Sequence, residues 1–185
     1  MTPFTYFGFG ALVLAVNYAV FRVAVRRDYL KSGRLTPLST FLEYVAITSW
    51  VAFGYLNRPP DWPAVHVGSP QEYLGWVLFL SGWAFVLAGI VWLGIRRSHG
   101  LQVVGLRQTG LYRFTRNPQT VAFFIAMLGY LILWPTWRNV GVLILVAVLL
   151  HLMIRSEEEH LRDVFGEEYE GYCERTPRYV GRRRG

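Results

Sequence analysis

The apolar residues of this chain are gathered into long blocks, and this arrangement constrains its fold more than any other feature. A helix of about 20 predominantly apolar residues spans the hydrocarbon core of a bilayer. Five such blocks follow one another: Phe4–Val25, Leu38–Leu56, Tyr73–Ile95, Thr120–Trp134 and Val140–Ile154. We therefore predict an all-α polytopic membrane protein with five transmembrane helices. The connections are short, so residues 1–185 are expected to form one domain with a cytosolic C-terminal helical tail.

The first block differs from a secretory signal peptide. In a signal peptide the charged residues precede the apolar run and a small-residue cleavage site follows it. Here Arg26 and Arg27 follow the run, and no such cleavage site ends it. We interpret the block as a first helix that the protein retains.

Arginine is concentrated in alternate connections between the blocks. The connections after the first and third blocks are rich in arginine, as is the tail, whereas the other two hold one each, Arg58 and Arg138. The positive-inside rule then places the N-terminus outside and the C-terminus in the cytoplasm, in the plasma membrane if the chain is bacterial. Topology and anionic lipid head groups thus explain the net charge of +7, and no nucleic-acid partner is expected.

Three further features of the sequence bear on packing and metal binding. Gly75, Gly82 and Gly89 lie seven residues apart in the third block, a spacing typical of close helix packing. Asn17, within the first block, is expected to form an interhelical hydrogen bond. Cys173 is the only cysteine, so we expect neither a disulfide framework nor a thiolate metal site.

The stretch GLYRFTRNPQT, residues 110–120, predicts where the fourth helix begins. Pro118 favours the first turn of a helix and Asn117 is a good N-cap. The free N–H groups of that helix end, with Arg113 and Arg116 beside them, would suit an anion. An ordinary capped membrane helix with cytoplasmic arginines is the alternative interpretation.

The stretch PTWRN predicts a tight hairpin between the fourth and fifth helices. We expect the fifth helix to continue to about Phe165, where Gly166 ends or bends it. The carboxylates of residues 157–159 then lie at its cytoplasmic end, opposite the start of the fourth helix. An amino acid, which carries both charges, would fit between them. The alternative is a solvated, charged helix end.

Two motifs in this region resemble the C-terminal signature of the isoprenylcysteine carboxyl methyltransferase and phospholipid N-methyltransferase superfamily. The first has a G-x-Y-x-x-x-R-[HN]-P pattern, and the second, after a helical hairpin, pairs E-E with a later F-G-x-x-Y-x-x-Y. The resemblance covers about the last 80 residues. The matching residues are Gly110, Tyr112, Arg116, Asn117, Pro118, Glu157, Glu158, Leu161, Phe165, Gly166, Tyr169, Tyr172 and Pro177.

The resemblance implies an integral membrane methyltransferase that uses S-adenosyl-L-methionine and a lipophilic substrate, without a metal. The cofactor-binding core would span residues of about 100–180. Glu157 would hold the methionyl ammonium of the cofactor. The cofactor pocket would be lined by Val104, Gly105, Leu106, Arg107, Tyr112, Arg116, Asn117, Pro118 and Thr120.

The chain departs from the family pattern at several positions. Thr120 replaces the usual tyrosine, and Met153 stands where carboxyl methyltransferases carry a substrate-binding arginine. A prenylcysteine carboxylate is therefore disfavoured as the acceptor, whereas lipid-like amines, thiols and phenols stay open. Two rival interpretations remain: an NADPH-dependent membrane reductase related to sterol reductases, and an inactive membrane scaffold.

Transfer of a methyl group to an amine or thiol needs a group that accepts the proton of the acceptor. Glu158 and His151 are the candidates, and both belong to the fifth helix. With Arg155 they are expected to form one inward face and to supply the catalytic residues.

Overall fold

The computed structural model describes residues 2–59, 68–93, 105–106 and 108–181. All regular secondary structure within these ranges is helical, which confirms the all-α prediction. The α-helices are α1 (Pro3–Ala19), α2 (Arg26–Ser32), α3 (Pro37–Leu56), α4 (Pro70–Leu93), α5 (Pro118–Leu133) and α6 (Trp137–Arg175). A π-helical segment (Val20–Val25) joins α1 to α2, and a 3-10 turn (Gly110–Arg113) precedes α5.

In the described part of the chain, three helical stretches are long and apolar enough to cross a membrane: Pro3–Lys31, Pro70–Val91 and Trp137–Arg175. Helix α5 is apolar but shorter. Helix α3 has 20 residues but is less apolar, because it contains Glu43 and several hydroxyl side chains. The model therefore supports a membrane protein, while the count of five spans stays a prediction.

Helices α4 and α5 pack against each other along their lengths. A methyl group added at Gly82 would meet the backbone of Ala122 and Ala126, and one added at Gly129 would meet the backbone of Phe79. Backbones can approach this closely only where side chains are absent. The close packing predicted from the glycine spacing of α4 is confirmed.

The remaining helices form a second group, in which α1, α2 and α3 pack on α6. Asn17 is fully buried and donates hydrogen bonds to the Val13 carbonyl (2.8 Å) and the Ser49 hydroxyl of α3 (3.1 Å), which confirms its predicted interhelical bond. The Trp50 indole N–H donates to the Asn17 side-chain oxygen. In the π-helical segment the Phe21 carbonyl accepts from the Ser156 hydroxyl of α6 at 2.8 Å.

Helices α5 and α6 are joined by the predicted short turn. Thr136 caps α6 by accepting from the Asn139 backbone N–H at 3.2 Å, and the Asn139 side chain donates to the Trp134 carbonyl at 2.7 Å. Gly166 has φ 48° and ψ −123° within α6, so the predicted bend is confirmed. The helix resumes after this bend and continues to Arg175.

Candidate functional site

The sequence motif before α5 is bound by the end of the chain. Residues 110–117 are called the motif segment here, and residues 176–181 the C-terminal segment. The Arg116 backbone N–H donates to the Pro177 carbonyl at 2.9 Å. The Arg178 carbonyl accepts from the Thr115 hydroxyl at 3.1 Å and from the Asn117 amide at 3.0 Å. The C-terminal segment is thus attached directly to the start of α5.

Helix α5 begins at Pro118 as predicted, with Asn117 in the N-cap position. The prediction that the Asn117 side chain caps the helix is wrong, because it makes no capping hydrogen bond. Its amide donates instead to the Arg178 carbonyl, a partner 61 residues away in sequence. Tertiary contact with the C-terminal segment has replaced the local capping bond.

Glu158 is the centre of an ion-pair network and only 3% of its side chain is exposed. The Arg178 guanidinium donates to both of its carboxylate oxygens, at 3.0 and 2.6 Å. Arg116 lies 3.4 Å away and Arg162 lies 3.9 Å away. The hydrogen bond to Glu158 raises the pKa of the Arg178 guanidinium, so this partner stays charged. The Glu158 carboxylate is thus fully engaged by arginine side chains.

The three successive glutamates of α6 have different partners. Glu158 meets the C-terminal segment and the motif segment, as described above. Glu159 pairs with Arg22 at 2.9 Å and Arg26 at 2.7 Å, which anchors the π-helical segment and α2. Glu157 is exposed and forms no ion pair with any described residue. Of these three glutamates, only Glu157 therefore has a carboxylate available to a cationic ligand.

Unpartnered donors lie at the start of α5. Among the described buried side chains, Arg116 Nε and Gln119 Nε2 have no hydrogen-bond partner. Buried donors without partners cost free energy, so they favour an acceptor that a ligand supplies. Donors at the α5 end suit a carboxylate and Glu157 suits an ammonium group. The α-amino acid part of S-adenosylmethionine carries both groups, so these side chains are of the chemical types that this cofactor needs.

The structure also places the other predicted cofactor residues. Thr120 is buried in the first turn of α5, and the Tyr112 carbonyl accepts from the Tyr172 hydroxyl at 2.8 Å. Burial raises the pKa of the Tyr172 hydroxyl, which therefore stays a hydrogen-bond donor. Gly105 has a left-handed backbone with φ 71°, and Leu106 follows it. Val104 and Arg107 lie outside the described residues.

The predicted catalytic residues differ in their exposure. Glu158 is buried, His151 is half-buried and Arg155 is exposed. His151 Nδ1 lies 3.0 Å from the Tyr179 hydroxyl of the C-terminal segment. His151, Arg155 and Glu158 lie four and three residues apart in α6, so the three positions follow one another along one side of the helix.

Sequence reasoning missed the part that the C-terminal segment plays. Arg178 and Tyr179 were not predicted as site residues, yet they contact Glu158 and His151. Arg178 lies next to Pro177, the last residue of the second motif, and this was the one available signal. Nothing local in the sequence shows which of three glutamates Arg178 binds.

An open apolar groove of about 500 Å³ lies between the end of α4 and the 3-10 turn. The cationic side chain of Arg113 is at this groove, together with exposed aromatic and aliphatic groups. The groove is lined by Phe85, Ala88, Gly89, Gly110, Leu111, Arg113 and Phe114. Within the described part of the chain, no cluster of three or more His, Cys, Asp or Glu side chains is arranged to hold a metal.

Comparison with known families gives one match. A family model described as phospholipid methyltransferase matches residues 70–168, which include α4, the motif segment, α5 and most of α6. Comparisons with curated proteins and with solved structures gave no match.

Proposed function

The chain belongs to the phospholipid methyltransferase family, and on that premise we propose that it transfers the methyl group of S-adenosylmethionine to a lipophilic amine at the membrane. A phospholipid head group is the acceptor that the family favours. The observation that carries the proposal is the contrast among the glutamates of α6. Glu158 and Glu159 are neutralised by arginines, whereas Glu157 is available to the methionyl ammonium of the cofactor.

The motif segment and the first turn of α5 provide the rest of the proposed cofactor site. Arg116 Nε and Gln119 Nε2 would donate to the methionyl carboxylate, since both are buried donors without partners in the described residues. Tyr112, Asn117, Pro118 and Thr120 would line the pocket, with Gly105 and Leu106 as a further wall. Val104 and Arg107 belong to the same proposal by sequence position alone.

When bound, S-adenosylmethionine supplies an activated methyl group on a sulfonium. The residues of the chain would hold the acceptor amine in line with that group and exclude water, because positioning and dehydration dominate such displacements. His151 is the proposed proton acceptor, since both oxygens of the Glu158 carboxylate already accept hydrogen bonds from Arg178. Glu158 then acts as a positioning residue for Arg116 and Arg178. Arg155 contributes to the electrostatic potential at His151.

The topology belongs to the same proposal. We place five helices in the membrane, with the N-terminus outside and the C-terminus in the cytoplasm, where the cofactor is available. The lipophilic acceptor would approach from the bilayer along the groove beside α4, with Arg113 near a head-group phosphate.

Binding of S-adenosylhomocysteine, measured calorimetrically on detergent-purified protein, tests the proposal. We expect Glu157→Gln to weaken binding about tenfold, because a hydrogen-bonded charge partner of the ammonium is lost. Glu159→Gln is the matched control, since it alters a neighbouring glutamate that arginines already satisfy, and it should bind as the wild type does.

Other outcomes of the titration would assign a different function to the protein. Binding of NADPH in place of S-adenosylhomocysteine would make the protein a reductase. A folded protein that binds neither ligand would be a scaffold, and equal binding by the Glu157→Gln and Glu159→Gln variants would remove Glu157 from the site.

A further inference from the structure

A second carboxylate from another helix lies close to Glu157. Glu43 is half-buried on α3, between Ser39 one turn before it and Ala46 one turn after it, and both of these neighbours are buried. Ala46 belongs to the hydrophobic cluster formed by α1, α2, α3 and the π-helical segment. Residues at these spacings share one helix face, so Glu43 lies on the face of α3 that packs on this cluster.

Glu157 reaches the same cluster from α6. Met153, one turn before it, packs against the cluster, and His160, one turn after it, stacks on Tyr29 with ring centroids 4.2 Å apart. Glu157 thus lies on the α6 face between these two contacts. Both residues therefore lie on helix faces that pack on the same cluster, and their carboxylates also interact electrostatically.

Tyr29 completes the group. It is 9% exposed, and its ring is fixed by the stack on His160. The ring thus lies in the cluster that the α3 face of Glu43 packs on and against the α6 face of Glu157, and its hydroxyl interacts electrostatically with both carboxylates. Among the described residues this hydroxyl has no hydrogen-bond partner, and neither carboxylate has a cationic partner.

Two carboxylates without a cationic partner, one exposed and one half-buried, and a buried tyrosine without a hydrogen-bond partner form an oxygen-rich group beside an apolar cluster. An alkylammonium group is positively charged and has three N–H donors, which matches three oxygen-bearing side chains. Only two of the three are strong metal ligands, and the described residues hold no cluster of three metal-binding side chains. The chemistry favours an organic ammonium over a metal ion.

We propose that Glu43, Tyr29 and Glu157 together form a binding site for a primary ammonium group. This inference rests on the proposed function for the identity of the ligand. The ammonium belongs either to the methionyl part of the cofactor or to the amine of the lipid acceptor. Glu43 is thereby assigned to the site although it lies on α3, outside the two sequence motifs and outside residues 70–168.

The test compares Glu43→Gln and Tyr29→Phe with the wild type, and Tyr18→Phe, an exposed tyrosine of α1, is the matched control. Two nucleosides are titrated into each purified protein: S-adenosylhomocysteine, which has the ammonium group, and 5′-methylthioadenosine, which lacks it. If the cofactor supplies the ammonium, Glu43→Gln weakens binding of the first about tenfold and of the second by less than about twofold.

If the acceptor supplies the ammonium, both nucleosides bind Glu43→Gln unchanged. Nanodiscs containing phosphatidylethanolamine should then raise the melting temperature of the wild type but not of Glu43→Gln, relative to phosphatidylcholine nanodiscs. The nanodisc measurement needs no enzyme turnover. It therefore tests the ammonium site even if the wild type fails to bind S-adenosylhomocysteine and the proposed function is wrong.

The ammonium site is refuted if Glu43→Gln and Tyr29→Phe respond as the wild type does to both nucleosides and both lipids. Normal nucleoside binding by all variants in that case would leave the methyltransferase proposal intact. The melting temperature of the ligand-free Glu43→Gln protein serves as the folding control, and we expect no decrease, because the change removes one of two repelling charges.

Discussion

Helices α4 and α5 are packed backbone against backbone, whereas the C-terminal segment is attached to the motif segment by side-chain hydrogen bonds and ion pairs. In the first region the contact depends on the absence of side chains at Gly82 and Gly129. In the second it depends on the Arg178 guanidinium and the Glu158 carboxylate meeting in one orientation. The hydrophobic effect does not drive helices together in an apolar solvent. Within a membrane, helix association depends instead on van der Waals contact between closely fitting surfaces. Directional charged bonds hold the second region together instead.

The largest effect is expected in the charged region. Glu158→Gln removes the charge that Arg178 and the mostly buried Arg116 both contact, and it should lower the free energy of unfolding by about 3 kcal/mol. The matched change Glu159→Gln affects partially exposed pairs with Arg22 and Arg26 and should cost less than about 1 kcal/mol.

Unfolding of the two glutamine variants in mixed micelles, followed by tryptophan fluorescence, measures this difference. Equal losses of stability would mean that the greater burial of Glu158 does not make its ion pairs more important for stability than those of Glu159. A further readout is proteolysis of the C-terminal segment, which should become faster in Glu158→Gln alone.

The packed region should show a sharp contrast between two glycines of one helix. Gly82→Ala places a methyl group against the backbone of α5, which cannot move locally, and should cost about 2 kcal/mol. Gly89→Ala meets only the Gln119 side chain, which can shift where a backbone cannot, and should cost less than about 1 kcal/mol. The same micelle assay compares them, and a Gly89→Ala variant as unstable as Gly82→Ala would refute the backbone-contact explanation.

Sequence reasoning succeeded where structure follows local spacing. The glycines of α4 recur at a helical interval, so their common face was predictable without knowing which helix meets them. Pro118 at the start of α5 and Gly166 at the bend of α6 are likewise local backbone effects. Asn17 was predictable because an amide within an apolar helix needs a partner.

Prediction from the sequence was less successful where hydrogen-bond and ion-pair partners come from distant parts of the chain. Asn117 was expected to cap α5, but a carbonyl 61 residues later accepts its amide hydrogen bond instead. The pairing of Glu158 with Arg178 and of Glu159 with Arg22 depends on tertiary positions that residue spacing does not encode. The π-helical segment, which frees the Phe21 carbonyl for Ser156, left no signal that we identified in the sequence.

The smallest predicted effect is a pH dependence of stability, which His160 should contribute and the packing of α4 on α5 should not. His160 is 4% exposed and burial lowers its pKa from the ordinary value of 6.5, so the unfolded chain binds a proton there before the folded protein does. Stability should therefore decrease as the pH falls below about 6.5, by up to about 1 kcal/mol near pH 5.5, and should be fully present at about pH 7.5. His160→Phe keeps a ring against Tyr29 without the titration and should flatten this dependence. Gly82→Ala, whose contact involves no titratable group, should keep the wild-type slope at lower overall stability. An unchanged slope in His160→Phe would assign the pH dependence to another titratable group.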